Sequence, residues 1–290
     1  MHQYFAVAVG FGIFLMATLY FAPNSSIIST KSISISDDTR WEAVIKKYRV
    51  CMQRHPKLRT PDSTWADGSG QAVRDCYKFG PNIISVENQD EAKRLILMNN
   101  PRENCTFVTL GIGKDAMAEA KVKAMMPNCK FYGADPVLEE NKAVYENVGE
   151  YHQLAISGNN VADSSILTKS GYQTRKKMPA MPMYQFFGEI VKSKTIDYLF
   201  VDIEYAEYDL FDYLQAGKAL ENGFTICQIN LEAHIAQNIE QKVKYMEFIR
   251  KLVNEGHYAL AYDDNTIGHH RIFFYNHRAP ACRRKFMPFS

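Results

Sequence analysis

Residues 106–135, reading TFVTLGIGKDAMAEAKVKAMMPNCKFYGAD, constrain the fold more than any other stretch. An apolar run from Phe107 to Leu110 meets a tight turn carrying Gly111 and Gly113. From Lys114 to Met126 there is no Gly or Pro, and Ala, Met, Lys and Glu, all good helix formers, dominate. Pro127-Asn128 ends that helix, and Phe131 to Ala134 supply a second strand closing on Asp135. Strand, helix and parallel strand in so short a span form a βαβ unit. The glycines allow close backbone approach to a ligand at a helix N-terminus, where free N–H groups and the helix dipole sit. A carboxylate at the tip of the second strand is placed to accept hydrogen bonds from ribose hydroxyls. Gly111, Gly113 and Asp135 are therefore the expected contacts of a nucleotide-type cofactor.

The 290 residues have room for one large α/β domain and an N-terminal extension, and 46% hydrophobic content suffices for a substantial core. A net charge of +2, with no long basic run interleaved with aromatics, gives no reason to expect a nucleic-acid partner. The six cysteines lack paired CxxC spacing. Cys105, Cys129 and Cys227 fall in or beside predicted strands and read as small buried hydrophobes. A Cys51–Cys76 disulfide is open in an oxidising compartment.

Residues 1–3 precede an uncharged, proline-free run of 19 residues, Tyr4 to Ala22, with aromatics at both ends. That is about the length a bilayer core requires of a helix. A cleaved signal peptide is the rival reading, but a basic n-region is missing and Pro23 follows the best small-residue site. A single-pass signal anchor is the expectation, with 23–36 as a stalk. Lys31 and Arg40 would keep the C-terminal side cytoplasmic by the positive-inside rule. An N-terminal anchor ahead of one large domain is instead the layout of membrane-tethered luminal enzymes, and a luminal (Golgi or ER) domain is the reading taken. Sequons stand at Asn24 and Asn104.

Residues 37–103 read as a helical extension that lids or braces the core. Trp41, Val44, Ile45, Tyr48 and Met52 mark an amphipathic helix, 55–71 a loop, 72–87 a short strand pair or irregular cover, and Asp90 to Met98 a short helix. After Asp135 come a helix from Val137 to Val148, a strand from His152 to Ile156 and a long polar segment, 157–183. A helix from Gln185 to Lys192 leads to a central strand, Ile196 to Ile203, apolar on both faces. A helix over Tyr208 to Ala219, a fifth strand (Phe224 to Leu231), a helix (Asn238 to Asn254), and strands at His257 to Tyr262 and Arg271 to Tyr275 complete the core. Only Asp263 to His270 separate the last two strands, too few for a parallel crossover, so the seventh must run antiparallel.

The segment Ile196-Asp-Tyr-Leu-Phe-Val-Asp-Ile-Glu-Tyr-Ala-Glu-Tyr-Asp-Leu-Phe211 resembles the hallmark of the FkbM-type methyltransferases, a hydrophobic strand ending in Asp-x-Glu-Gly-Ala-Glu. Asp202, Glu204, Ala206 and Glu207 match, while Tyr205 stands where the family usually has Gly. Ile229-Asn-Leu-Glu-Ala-His234 is similar to the family's fifth strand ending in Glu-x-His, and Leu110-Gly-Ile-Gly113 to a shortened form of its glycine loop. The likeness covers roughly residues 104–276 and extends in layout to nematode members with an N-terminal anchor. It implies a Rossmann-like class I methyltransferase fold over 104–278, with a seven-stranded, mostly parallel sheet and an antiparallel last strand. It also implies S-adenosylmethionine as cofactor and O-methylation of a glycan or other hydroxyl acceptor. Gly111-Ile-Gly-Lys-Asp-Ala116 fits G-x-G-x-x-A as well, which keeps an NAD-dependent oxidoreductase open, and Tyr205 keeps a catalytically lapsed binding protein open.

Asp202, at the carboxyl end of a central strand, faces the crevice where open α/β sheets bind ligands. It is expected to shape the cofactor's methionine end, or to act as base or metal ligand. Glu204 joins it, and Glu207 is equally placed to cap the following helix. His234, with Glu232 two residues before it, is the expected base for a hydroxyl acceptor at near-neutral pH. The expected catalytic set is thus Asp202, Glu204 and His234, and the cofactor set Gly111, Gly113, Asp135 and Asp202. No tetrahedral metal cluster is visible in the sequence, leaving only a carboxylate-bound Mg²⁺ at Asp202 open. His152, His257 and His277 read as structural, Arg175-Lys176-Lys177 as part of a segment able to cover the acceptor, and residues 279–290 as a solvated basic tail.

Overall fold

A computed structural model describes residues 38–59 and 68–287. Helix α1 (Asp38–Arg54) buries Trp41, Ile45, Tyr48 and Met52, the face its spacing predicts. Helix α2 (Gly68–Cys76) packs beside it, and strands β1 (Ile84–Glu87) and β2 (Ala92–Leu95) form an antiparallel hairpin. The βαβ unit is β3 (Cys105–Leu110), α3 (Met117–Met125) and β4 (Cys129–Ala134), followed by α4 (Leu138–Tyr145) and β5 (Glu150–His152). After a β-paired arm over 156–182 and a π-helical turn at Phe186–Val191 comes β6 (Tyr198–Val201), wholly buried. Then follow α5 (Glu207–Leu210), α6 (Ala216–Glu221), β7 (Gln228–Ala233), α7 (Ile239–Glu255), β8 (Tyr258–Thr266), β9 (His269–Asn276) and α8 (Pro280–Phe286).

The central sheet has seven strands in the order β8-β9-β7-β6-β3-β4-β5. Only β9 is reversed, pairing antiparallel with both β7 and β8. The reversal is made by a two-residue turn in which Ile267 and Gly268 have φ of 56° and 86°, the left-handed pair that suits the twist of a tight hairpin. The βαβ unit and the antiparallel last strand thus stand as the sequence predicts. The Tyr48 hydroxyl donates to the Leu260 carbonyl (3.0 Å) and accepts from the Leu260 N–H (2.9 Å), where β8 slips register against β9. The N-terminal helices therefore brace the sheet edge by satisfying backbone groups that a bulge leaves unpaired.

Several expectations are corrected. Asp90 to Met98 is not a helix: β2 lies across β7, where Asn230 and Gln228 take the backbone groups of Arg94 and Ile96 in side-chain bonds. A partner built from distant side chains overrides local helix propensity there. Cys105, Cys129 and Cys227 are not free hydrophobes, because Cys105 bonds Cys129 across paired strands and Cys227 bonds Cys282, alongside Cys51–Cys76. No free cysteine remains. Residues 279–287 are not a solvated tail: α8 is docked by that disulfide, by buried Phe286 and by a Lys285–Asp197 ion pair at 2.8 Å. The loop expected over 55–71 and the strand pair or irregular cover over 72–87 are interrupted by α2 (Gly68–Cys76), and in the polar 157–183 segment Val161–Ser164 pairs with Lys176–Pro179 and Leu167–Thr168 with Gly171–Tyr172. Among the described residues no helix is long and apolar enough to cross a membrane; the anchor expected at 4–22 and the stalk at 23–36 lie outside them.

Candidate functional site

The glycine turn is stitched to the strands on both sides. Gly111 donates to Ala134 (2.9 Å) and Asp202 to the Leu110 carbonyl (2.8 Å). At φ +82°, a Cβ on Gly111 would sit 1.6 Å from the Asp202 carbonyl oxygen, so only glycine fits. Gly113, at φ +61°, would point a Cβ into open space. Asp135, buried at the tip of β4, accepts from the Ile112 N–H (2.9 Å), the Gly113 N–H (3.5 Å) and the Val137 N–H (2.8 Å). Burial raises its carboxyl above the usual range, against those three bonds. Asp135 thus holds the turn in shape, and a carboxylate's four lone-pair sites leave it capacity for a further donor.

The N-terminus of α3 is not free as the sequence suggests. Met117 N–H is taken by Asp115 (2.8 Å), Ala118 N–H by Asn88 of the β1–β2 turn (2.8 Å), and Lys114 N–H by Asn141 (2.7 Å). A pyrophosphate needs such donors open; here protein carboxylates and amides already occupy them.

Above the turn lies a narrow cleft, partly open to solvent, with a cavity volume of ≈ 110 Å³. One end is apolar, with Pro136, Val137, Leu154 and Ile156. Elsewhere the lining carries Asp90, Glu91, Asp115, Asp135, Asp202 and Glu204, and no Lys or Arg. The arm forms its outer wall through Ser164 to Leu167 and Tyr172, and is fastened by Ser165 N–H to the Glu204 carbonyl (3.1 Å) and Ser164 hydroxyl to the Ile203 carbonyl (2.9 Å).

Behind the acidic end sits a cluster centred on His234. Its Nδ1 meets Glu207 Oε1 at 3.0 Å, and its Nε2 lies 3.0 Å from Glu204 Oε2 and 3.7 Å from Asp202 Oδ1. Burial alone would lower this imidazole, but Glu207, Glu204 and Asp202 outweigh it and hold His234 well above its ordinary range. The ring is only 4% exposed. His234 backs the two carboxylates instead of facing the cleft, which departs from the neutral base its sequence position suggests. Asp202 is raised well above the usual carboxylate range by burial and then by the charge of Glu232. Its Oδ1 is sealed from solvent without a hydrogen-bond partner among the described residues. Glu232 is held low despite burial, because His269 (2.9 Å), Lys93 and Arg271 (3.1 Å) surround it.

Glu204 and Tyr205 have φ of +53° and +81°. The family's usual glycine at position 205 is thereby explained: the backbone after β6 turns through the left-handed region, where a side chain costs about 1–2 kcal/mol. The Tyr205 ring packs over His234 (centroids 5.2 Å) and under the Arg175 guanidinium (5.0 Å), which closes the cluster from outside.

The structure gathers Gly111, Gly113, Asp135, Asp202 and Glu204 on one cleft, with His234 just beneath. Glu207, ambiguous in sequence, is fully buried and orients His234 through both the ring and its backbone N–H (2.8 Å). Sequence reasoning missed Asn88, Asp90, Glu91 and Lys93, because Asp90 to Met98 reads as a short helix of the N-terminal extension. The acidic turn Glu87-Asn-Gln-Asp-Glu91 is the only local signal that could have marked it. His152, His257 and His277 stay outside the cleft.

An open α/β sheet with an acidic cleft at the carboxyl ends of its strands places the candidate site where such sheets bind ligands. Residues 58–260 match the family model described as the methyltransferase FkbM domain, and the chain belongs to that family. The match starts ahead of the β1–β2 hairpin and includes every residue placed on the cleft. No curated protein matches the chain.

Proposed function

We propose that this methyltransferase-family domain uses S-adenosylmethionine to methylate an oxygen acceptor, with a glycan hydroxyl as the acceptor class. The observation that carries the reading is the charge of the cleft: among the described residues, six lining carboxylates and no lysine or arginine. Such a surface repels a dinucleotide's pyrophosphate and favours a sulfonium and an α-ammonium. The capped N-terminus of α3 argues the same way.

Gly111 and Gly113 keep the turn thin, Asp135 is offered to ribose hydroxyls, and Pro136, Val137 and Ile156 supply an apolar wall for a base. When bound, S-adenosylmethionine supplies an electrophilic methyl group, so that an O–CH₃ bond forms as S–CH₃ breaks with its electron pair left on sulfur. Asp202 and Glu204 line the cleft and organise the acceptor hydroxyl, with His234 and Glu207 fixing the position of Glu204, and the acceptor's proton passes to solvent at the open side of the cleft. Rate comes chiefly from holding acceptor and methyl in line, as positioning alone can supply much of a barrier.

All six cysteines are in disulfides, which supports placing the domain in an oxidising lumen, tethered by an anchor at 4–22. The test is incubation of the full chain with methyl-labelled S-adenosylmethionine and a panel of glycans. Label in the glycan together with S-adenosylhomocysteine is the expected result; cofactor binding without product would support the lapsed-enzyme reading. For placement, an unglycosylated Asn104 in a domain cleaved by protease from the cytosolic side would overturn the luminal assignment.

A further inference from the structure

Residues from four separate segments converge beneath the acidic end of the cleft. Ligand-type atoms of Asp202, Glu204 and His234 lie within 4.8 Å of one another, as do those of Glu232, His234 and His269, and of Glu91, Asp202 and Glu232. We infer that Asp202, Glu204 and the Nε2 of His234 form a binding site for a divalent first-row transition-metal cation.

Four observations separate this triad from the other two and from a solvated acidic patch. First, Glu232 is already neutralised by Arg271 (3.1 Å) and His269 (2.9 Å), and Glu91 by Lys93. Asp202 and Glu204 have no Lys or Arg at ion-pair distance among the described residues. Second, among the described residues the permanent cations paired with the cluster's five carboxylates (Glu91, Asp202, Glu204, Glu207, Glu232) are Lys93 and Arg271, which sit on Glu91 and Glu232. That leaves the Asp202, Glu204 and Glu207 carboxylates gathered around the His234 ring, an arrangement a dication compensates. Third, Asp202 Oδ1 is sealed from solvent with no hydrogen-bond partner among the described residues and lies on the His234 Nε2 side. Fourth, Glu207, fully buried, accepts from His234 Nδ1 at 3.0 Å. This is the outer-shell carboxylate that fixes a histidine's tautomer and aims its other nitrogen at a metal.

The spacing fits as well. Ligands about 2.1 Å from a cation and at right angles or wider are about 3.0–4.2 Å apart; the Nε2 to oxygen separations are 3.0 and 3.7 Å. A nitrogen donor beside two carboxylates suits Mn²⁺ or Zn²⁺ over Mg²⁺, which prefers oxygen and water. Asp202 and Glu204 also line the cleft, which gives the ion an entry path and leaves coordination positions facing the acceptor side. On the methyl-transfer reading, on which this consequence alone rests, those positions would hold an acceptor with neighbouring hydroxyls.

The test uses the full chain, stripped of metal and with disulfides intact. Mn²⁺ is titrated by electron paramagnetic resonance and Zn²⁺ by calorimetry, with Mg²⁺ as a third arm. One equivalent of Mn²⁺ or Zn²⁺ should bind, with imidazole nitrogen coupling visible in the pulsed Mn²⁺ spectrum. His234→Gln should abolish that coupling and weaken binding at least 100-fold, and Glu207→Gln should weaken it about 10–100-fold. Glu204→Gln, at a partly exposed position, gives a variant whose folding is readily kept and which should also lose at least tenfold. Absence of stoichiometric Mn²⁺ and Zn²⁺ binding, binding unchanged in folded Glu204→Gln, or a bound Mn²⁺ without nitrogen coupling would overturn the site. Metal binding without methyl transfer would leave the site standing and remove the functional reading. Methyl transfer in a chain that binds no metal would do the reverse.

Discussion

Glu119 sits in the first turn of α3 behind the glycine loop, 3% exposed. Its Oε1 accepts from the Thr109 hydroxyl (2.9 Å), which in turn accepts from Tyr145 (3.1 Å). Oε2 is buried with no partner among the described residues. Burial pushes its carboxyl from 4.5 to about 7, with the Thr109 bond and the charge of Lys93 opposing. The folded state therefore keeps a proton that the unfolded chain releases between pH 4.5 and about 7, so this group's contribution to stability falls as pH rises through that window. At about 1.4 kcal/mol per pH unit, the loss attributable to Glu119 approaches about 3 kcal/mol. Glu119→Gln keeps an acceptor for Thr109 and removes the titration. Urea unfolding of the disulfide-intact chain at pH 5 and pH 7.5 should show wild type losing about 2 kcal/mol relative to the variant between the two. Parallel profiles for the two proteins would refute the argument, because they would mean Glu119 titrates normally.

Other outcomes follow from the same geometry. His277 is fully buried with neither ring nitrogen bonded among the described residues, and burial followed by the Arg278 and Arg49 charges pushes it down to about 3. Stability from its neutral form is lost as pH falls from 6.5 toward 3, by up to about 5 kcal/mol; His277→Leu should flatten the melting temperature over that acid range. The Cys227–Cys282 bridge spans 55 residues, so replacing both by Ser should cost about 4 kcal/mol in urea unfolding. Gly111→Ala should lower the melting temperature and weaken S-adenosylmethionine binding at least tenfold by calorimetry, since its Cβ meets the Asp202 carbonyl. Tyr205→Val should be at least about 1 kcal/mol less stable than Tyr205→Gly, because a β-branched residue fits φ of +81° worst.

The sheet was legible because its signals are local. The βαβ unit announces itself by a switch in periodicity, and the length of the Asp263–His270 connection alone fixes the direction of β9. The β2 strand was not legible, because what holds Arg94 and Ile96 extended are the Asn230 and Gln228 side chains, more than 130 residues away. The disulfides needed spatial neighbours: Cys105 and Cys129 become a pair only once β3 and β4 are in register. In the site, Asp135, Asp202 and Glu204 stood out because strand ends in a parallel sheet share one edge. The role of His234 did not, since a histidine's charge depends on what flanks both nitrogens, and Glu207 and Glu204 approach from another segment. Tyr205 is the reverse case, a departure from pattern whose cost shows only in its backbone angle.

The most direct test of the cofactor assignment is a pair of calorimetric titrations of the full chain, one with S-adenosylmethionine and one with NADH, repeated with Asp135→Ala. S-adenosylmethionine should bind at one equivalent, lose at least tenfold in the variant, and NADH should give no isotherm. Tight NADH binding, or a sulfonium ligand that ignores both the wild-type cleft and the loss of Asp135, would contradict the reading of that cleft.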